Sequence, residues 1–257
     1  MATVVGKPRA RGKRAVEKRA PQSQSTGVVI LAGGRGTRLA PYTSVLPKPL
    51  MPIGDRAILE IVVDQLAEQG FTDITFCVGH LSHLIRAVFD SRDDRQVSIT
   101  YVHEELALGT AGPLRLVNDV TSPFVVMNGD VLSTLDYGEL LRCHLEHENV
   151  LTIATRKRTI SIDYGVLQLD GAENAVMHRV EGYVEKPEIV SPVSMGIYVL
   201  EKRALDFIPA DGYFDFPDLV QALLAAGEKI GAYVHDGLWF DIGRKDDYEQ
   251  AVEAWER

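Results

Sequence analysis

Two cations ten positions apart, Arg38 and Lys48, stand in the stretch "LAGGRGTRLAPYTSVLPKPL" (31–50), where glycine and proline oppose helix formation. A guanidinium grips phosphate through its planar fork, whereas an ammonium acts as a compact point charge. One of each suits a polyphosphate whose departing end has to be neutralised. Just ahead of them, Gly33, Gly34 and Gly36 follow an apolar run. Backbone N–H groups there can approach an anion because no side chain intervenes.

Two familiar glycine loops do not fit. The dinucleotide fingerprint asks for a third Gly or Ala at position 39, which is Leu39, and the Walker A loop asks for Gly-Lys-Ser/Thr where this chain has "GTR". The histidines add little: His80 with His83 and His144 with His147 are pairs without a third ligand at metal-binding spacing. Cys77 and Cys143 make neither a disulfide framework nor a metal site. Cys77, inside the apolar "ITFCVG", reads as a core residue, and the pair fits a reducing cytoplasm. No Ser-His-Asp or Cys-His arrangement stands out.

The elements that must hold these residues alternate. "GVVILAG" (27–33) reads as a strand buried on both faces. A helix is expected over 56–69, stopped at Gly70, then a strand over 73–79 and a helix over 82–90 with Ser82 as N-cap. Strands over 96–103 and 123–130 flank a short helix over 111–119. This order predicts an α/β fold with a mostly parallel sheet covered by helices on both faces. After about residue 150, "VLTIATRK", "DYGVLQLD", "HRVEGYVEKP" and "SPVSMGIYVL" are strand-like and close together, which predicts a β-rich insertion forming a second wall of a site. A helix over 215–227, a strand over 231–235, "LWFDIG" (238–243) and a helix over 245–256 complete the chain.

Composition bounds the partners. The 257 residues carry a formal charge of −9, with 46% hydrophobic and 25% charged residues, ordinary for a globular protein. Residues 1–26 hold seven Lys/Arg against Glu17 alone, leaving 20 basic and 35 acidic residues in the remainder. So acidic a body repels a phosphate backbone, so nucleic acid is not an expected partner. The tail 1–26 reads as disordered and basic, with no apolar core of a secretory signal. No run approaches a membrane span. The expected division is therefore a tail, 1–26, and one domain over 27–257.

"LAGGRGTRLAPYTSVLPKPL" resembles the signature of the sugar-1-phosphate nucleotidyltransferases, G-G-x-G-T-R-L followed by P-K-P. "HEELALGTAGPL" (103–114) resembles the base segment of the mannose-1-phosphate guanylyltransferases in particular. "NGD" (128–130) is similar to the metal-bearing strand end, and "YGV" (164–166), "EKP" (185–187) and "SMGIYVL" (194–200) to the sugar segments. "WFDIG" (239–243) resembles the late strand with a second metal-binding aspartate. Six segments in order cover residues 27 to about 250. The fold implied is Rossmann-like, the nucleotidyltransferase (GT-A-like) arrangement, with a nucleotide-binding half (27–150) and a sugar-binding half (151–257).

The resemblance implies roles for particular residues. Leu31, Gly33, Gly34, Gly36, Thr37, Arg38, Gly109, Thr110, Asn128 and Gly129 would bind the nucleotide, with Gly109 and Thr110 towards the base. Arg38, Lys48 and Lys186 would be catalytic. Gly165, Glu185, Lys186 and Gly196 would bind the sugar, and Asp130 and Asp241 would hold Mg²⁺, a hard cation suited to carboxylate and phosphate oxygens. The partners implied are an NTP, GTP first, and a mannose- or heptose-type sugar 1-phosphate, in a cytoplasmic chain open to homo-oligomer formation. "PKP" in place of the "KQ" of thymidylyltransferases argues against dTTP. The same reaction with UTP, dTTP or CTP and another sugar stays open, as does an inactive nucleotide-sugar-binding homologue. A glycosyltransferase of similar fold would be expected to carry D-x-D, which "NGD" is not. The chain ends soon after "WFDIG", so an added hexapeptide-repeat acyltransferase is not expected.

Overall fold

The computed structural model describes residues 26–92, 96–171, 176–243 and 245–255. The basic tail expected over 1–26 therefore lies, but for Thr26, outside the described residues. In chain order the elements are β1 (Val28–Ala32), β2 (Pro52–Ile53), β3 (Arg56–Ala57), α1 (Ile58–Glu68), β4 (Asp73–Val78), α2 (Ser82–Asp90), β5 (Ser98–His103), β6 (Phe124–Asn128), β7 (Val131–Ser133) and α3 (Tyr137–Glu146). The second half adds β8 (Leu151–Ser161), β9 (Val166–Leu169), β10 (Val180–Val184), β11 (Glu188–Leu200), α4 (Phe216–Ala225), β12 (Ile230–Val234), β13 (Trp239–Asp241) and α5 (Lys245–Trp255).

Seven strands form one sheet in the order β12-β8-β11-β6-β1-β4-β5. All its pairings are parallel except those of β11 with β6 and β8, so the expected mostly parallel α/β sheet is present. β1 lies inside the sheet, between β6 and β4, for a physical reason. Val28, Ile30 and Ala32 enter the core beneath α1 and α2, while Val29 enters the opposite core with Leu219 and Leu223 of α4. Alternate residues of a strand serve opposite faces, and burying each large apolar side chain is worth about 1.5–3 kcal/mol. Cys77 belongs to that second core, where burial pushes its thiol pKa up to about 12.

The chain leaves β1, adds β4 and β5 on one side, then returns to lay β6 on the other. The loops after β1 and β6 therefore diverge and leave a crevice at the carboxyl ends of the strands, where open α/β sheets bind ligands.

Several local expectations need correction. Arg56 and Ala57 pair with Pro52 and Ile53 in a hairpin turned at Gly54 (φ +61), so the helix begins at Ile58. Ser82 is the first helical residue rather than the cap: Leu81 is the cap, in a left-handed conformation (φ +56) and without a side-chain cap bond. The helix expected over 111–119 shrinks to a 3₁₀ turn, Gly112–Leu116, whose start is tied down by Ala111 and Gly112 donating their N–H groups to Phe214 O. The β-rich stretch after 150 is partly the main sheet itself. β8 and β11 run through it and project beyond it from Arg156 to Ser161 and from Glu188 to Val193, beside the separate β9–β10 hairpin.

Candidate active site

The crevice encloses about 400 Å³. Its floor is the end of β1 and the loop after it. Leu31 pairs with Asn128 across β1 and β6, and Gly129 donates its N–H to Leu31 O at 2.9 Å. Gly36 turns the loop with φ +62, and its carbonyl accepts from Thr43 Oγ1 at 2.8 Å. A Cβ on Gly36 would press on Thr43 and Lys48. The turn thus carries Arg38 forward and keeps Lys48 close behind it.

Lys48 is 9% exposed, held by Pro47 and Pro49, and its ammonium donates to Asp130 Oδ2. Asp130 lies two residues past β6, immediately before β7. Asp241 arrives beside it on β13, which pairs antiparallel with β7 so that Asp241 lies opposite Val131, and Ile242 N donates to Asp130 O at 3.1 Å. Burial and the neighbouring Asp130 carboxylate raise the Asp241 pKa, while Lys48 and Arg38 pull it down. Asp241 stays open to the crevice, so water tempers the shift.

Two carboxylates converging beside one lysine form an oxygen donor set. Among the described residues no group of three His, Cys, Asp or Glu converges as a metal site. A pair fits a hard cation that completes its shell with phosphate oxygens and water, as Mg²⁺ does. Carboxylate repulsion at Asp241 is what such a cation would relieve.

The other end of the crevice is built by the loop after β5. Gly109 has φ +87, and a Cβ there would come within 2.5 Å of Phe214 O. Thr110 donates from N (2.8 Å) and Oγ1 (2.9 Å) to Asp215 Oδ1, and its hydroxyl accepts from Phe216 N. Thr110 therefore joins this loop to the start of α4, a fastening role that the sequence did not suggest.

Of the predicted residues, Leu31, Gly33, Gly34, Gly36, Thr37, Arg38, Lys48, Gly109, Thr110, Asn128, Asp130 and Asp241 line this one crevice. Gly129 lies beneath it, where a side chain would meet Leu31 O and Pro49. Gly196 touches it indirectly, against Asn128. Gly165, Glu185 and Lys186 are not among its lining residues. Glu185 and Lys186 are exposed between β10 and β11, and Lys186 has φ +46. The space over Gly165 that was expected to admit a sugar is taken by the Tyr183 ring, whose hydroxyl donates to Glu185. Glu104 and Tyr213 line the crevice without having been singled out. Glu104 lay inside a quoted motif, but nothing in the sequence marked Tyr213.

A glycine loop, two cations and two carboxylates thus meet at the switch point of a Rossmann-like sheet, an arrangement that suits phosphate ligands. Residues 27–257 match the nucleotidyl transferase family, and the chain belongs to it. It is 35% identical over 231 residues to a mannose-1-phosphate guanyltransferase of Pichia angusta, covering 86% of this chain and 61% of that protein. It is 31% identical over 240 residues to a UTP–glucose-1-phosphate uridylyltransferase of Synechocystis sp., covering 87% and 62%. The chain thus spans about three fifths of the length of these relatives. HddC from Yersinia pseudotuberculosis complexed with GMP-PN superimposes with a TM-score of 0.67 at 27% identity, over 90% of this chain and 99% of that one.

Proposed function

We propose that the protein transfers a nucleoside monophosphate from GTP to a mannose- or heptose-type sugar 1-phosphate in the cytoplasm, releasing pyrophosphate and a nucleotide sugar. The observation that carries this reading is the convergence of Lys48, Asp130 and Asp241 opposite the bare loop of Gly33, Gly34 and Gly36. A sugar-phosphate oxygen forms a bond to the α-phosphorus as the bond to the β-phosphate oxygen breaks, and pyrophosphate leaves from the opposite side. The nucleophile is already an anion at neutral pH, so no general base is required.

The obstacle is repulsion between polyanions, and positioned charge removes it. The loop N–H groups and Arg38 hold the departing pyrophosphate. Lys48 turns from Asp130 towards the α-phosphate. Lys186 binds the incoming sugar phosphate and Glu185 accepts from sugar hydroxyls, which requires the turn between β10 and β11 to approach the crevice. Asp130 and Asp241 would hold Mg²⁺, which when bound supplies charge neutralisation at the phosphates.

The uridylyltransferase relative supports a second reading, the same reaction with UTP and glucose 1-phosphate. Pyrophosphate release, with GTP, UTP, dTTP, CTP and ATP crossed against mannose, glucose and heptose 1-phosphates, decides between them. Silence across the grid from folded protein would overturn both.

A further inference from the structure

We infer that Thr43 is a positioning residue for the glycine loop: it touches no substrate itself, and its hydroxyl aims the Thr37 N–H into the crevice. The inference rests on the nucleotidyl-transfer reading of the crevice and adds to it the group that organises the loop in advance.

Thr43 is not among the residues that line the crevice, yet it is only 3% exposed. It stands in a short turn that closes on itself. Ser44 N donates to Pro41 O at 3.0 Å, and Val45 N and Leu46 N donate to Tyr42 O at 3.4 and 3.2 Å. These local bonds set the turn, so the Thr43 side chain has a fixed footing behind the loop.

From that footing it holds Gly36 in two ways. Thr43 Oγ1 donates to Gly36 O at 2.8 Å, and Leu39 N donates to the same oxygen at 2.9 Å. Both lone pairs of this carbonyl are thus engaged. The Thr43 methyl takes the neighbouring space: a Cβ on Gly36 would come within 2.9 Å of Thr43 Cγ2 and 3.1 Å of Lys48 Cβ. Gly36 keeps its φ of +62 between these supports.

A pinned carbonyl decides where the next N–H points. The Gly36–Thr37 peptide is trans, and in a planar trans peptide the C=O and N–H point in opposite directions. Gly36 O faces the buried Thr43, so Thr37 N–H faces away from it, and Thr37 lines the crevice. Among the described residues neither Thr37 N–H nor Arg38 N–H meets an acceptor. These are the donors that a departing phosphate oxygen can use. Without the Thr43 hydroxyl the peptide is free to turn its carbonyl towards the crevice, where it would repel phosphate. Donors held in place beforehand need no reorganisation as charge develops on the leaving group.

The test compares, in the full chain, Thr43→Val, which keeps the shape and removes the donor, with Thr43→Ser, which keeps the donor and removes the methyl. Pyrophosphate release with GTP or UTP, whichever the unaltered protein uses, gives kcat and KM. Calorimetry gives the binding of inorganic pyrophosphate and of GMP or UMP, and urea unfolding shows that each variant is folded. Thr43→Val should lower kcat about tenfold to a hundredfold and weaken pyrophosphate binding about tenfold. The monophosphate lacks the departing phosphates and should bind as before. Thr43→Ser should stay within about threefold of the unaltered protein in both readouts. A residue that only filled space would give the opposite order, because valine fills the site and serine leaves a void. That order, or equal weakening of pyrophosphate and monophosphate, overturns the proposal while leaving nucleotidyl transfer standing. If no triphosphate reacts with the unaltered protein, the transfer reading falls, and pyrophosphate binding by the two variants still decides the role of Thr43.

Discussion

Gly196 and Asn128 are packed so closely that a single methyl group would separate them: a Cβ on Gly196 would lie 2.6 Å from Asn128 Nδ2. The contact arises from a bulge in β11, where pairing with β8 skips from Ser194–Thr155 to Tyr198–Ile153. Gly196 takes φ +73 within it, and Trp239 Nε1 secures the bulge by donating to Met195 O at 3.0 Å. The bulge thus props a crevice-lining amide from behind. Gly196→Ala should cost about 2–4 kcal/mol, from left-handed strain plus overpacking. Urea unfolding measures that loss, and a raised KM for the triphosphate would report the displaced Asn128.

Asp130 answers to two neighbours of opposite effect, the Lys48 ammonium and the Asp241 carboxylate. Asp130→Asn removes the ion pair and half of the oxygen donor set while keeping the shape. Turnover should fall by about 10²–10³, the usual loss when a positioned charge is removed from a phosphoryl or acyl transfer site. Near-normal turnover in a folded Asp130→Asn protein would remove Asp130 from the chemistry. The dependence of rate on Mg²⁺ concentration adds a second readout, since the variant should need more of the ion to reach half its own maximum.

Much of this site was legible because its residues are close in sequence or sit at strand ends. The run before Gly33, the run before Asp130 and the prolines around Lys48 each fix a local conformation that needs no distant partner. What stayed hidden depends on distant contacts. Thr110 reads as a base-facing residue until Asp215, 105 positions away, takes its hydroxyl. Tyr213 enters the crevice only because Phe214 is stitched to the loop at 108–112. Tyr183 covers Gly165 through a hairpin register that alternating residues alone do not specify. The span of α2 stands as read, but its cap was misplaced because Leu81 takes a left-handed conformation, and α1 starts late because Arg56 and Ala57 pair in a hairpin.

Lys186 has φ +46, a left-handed backbone that disfavours lysine, and it is exposed, so packing does not explain the choice. Such strain is characteristic of functional positions. Lys186→Ala keeps the strain and removes the ammonium, so turnover should fall by at least about 10². Lys186→Gly removes both, so its stability should be unchanged or higher by up to about 1 kcal/mol while its activity stays as low as that of the alanine variant. Thermal melts beside pyrophosphate release separate the two effects. Full activity in Lys186→Gly would strip the ammonium of its role.

His144 offers a test of acid stability away from the crevice. It is fully buried on α3, with Nδ1 2.8 Å from Thr152 Oγ1 and Nε2 3.5 Å from Glu201 Oε1. Glu201 also accepts from Ser122 Oγ, and Asn149 Nδ2 donates to Thr152 Oγ1. Burial lowers the His144 pKa below its ordinary 6.5, and Glu201 opposes this only in part. The folded protein thus holds a neutral ring that the unfolded chain protonates more readily. The contribution is constant above pH 6.5 and turns destabilising as the pH falls through 6.5 towards the lower folded value. In urea unfolding at pH 7.5 and 5.5, the unaltered protein should lose more stability on acidification than His144→Gln. An equal loss in the two proteins would mean that His144 is not the group being titrated.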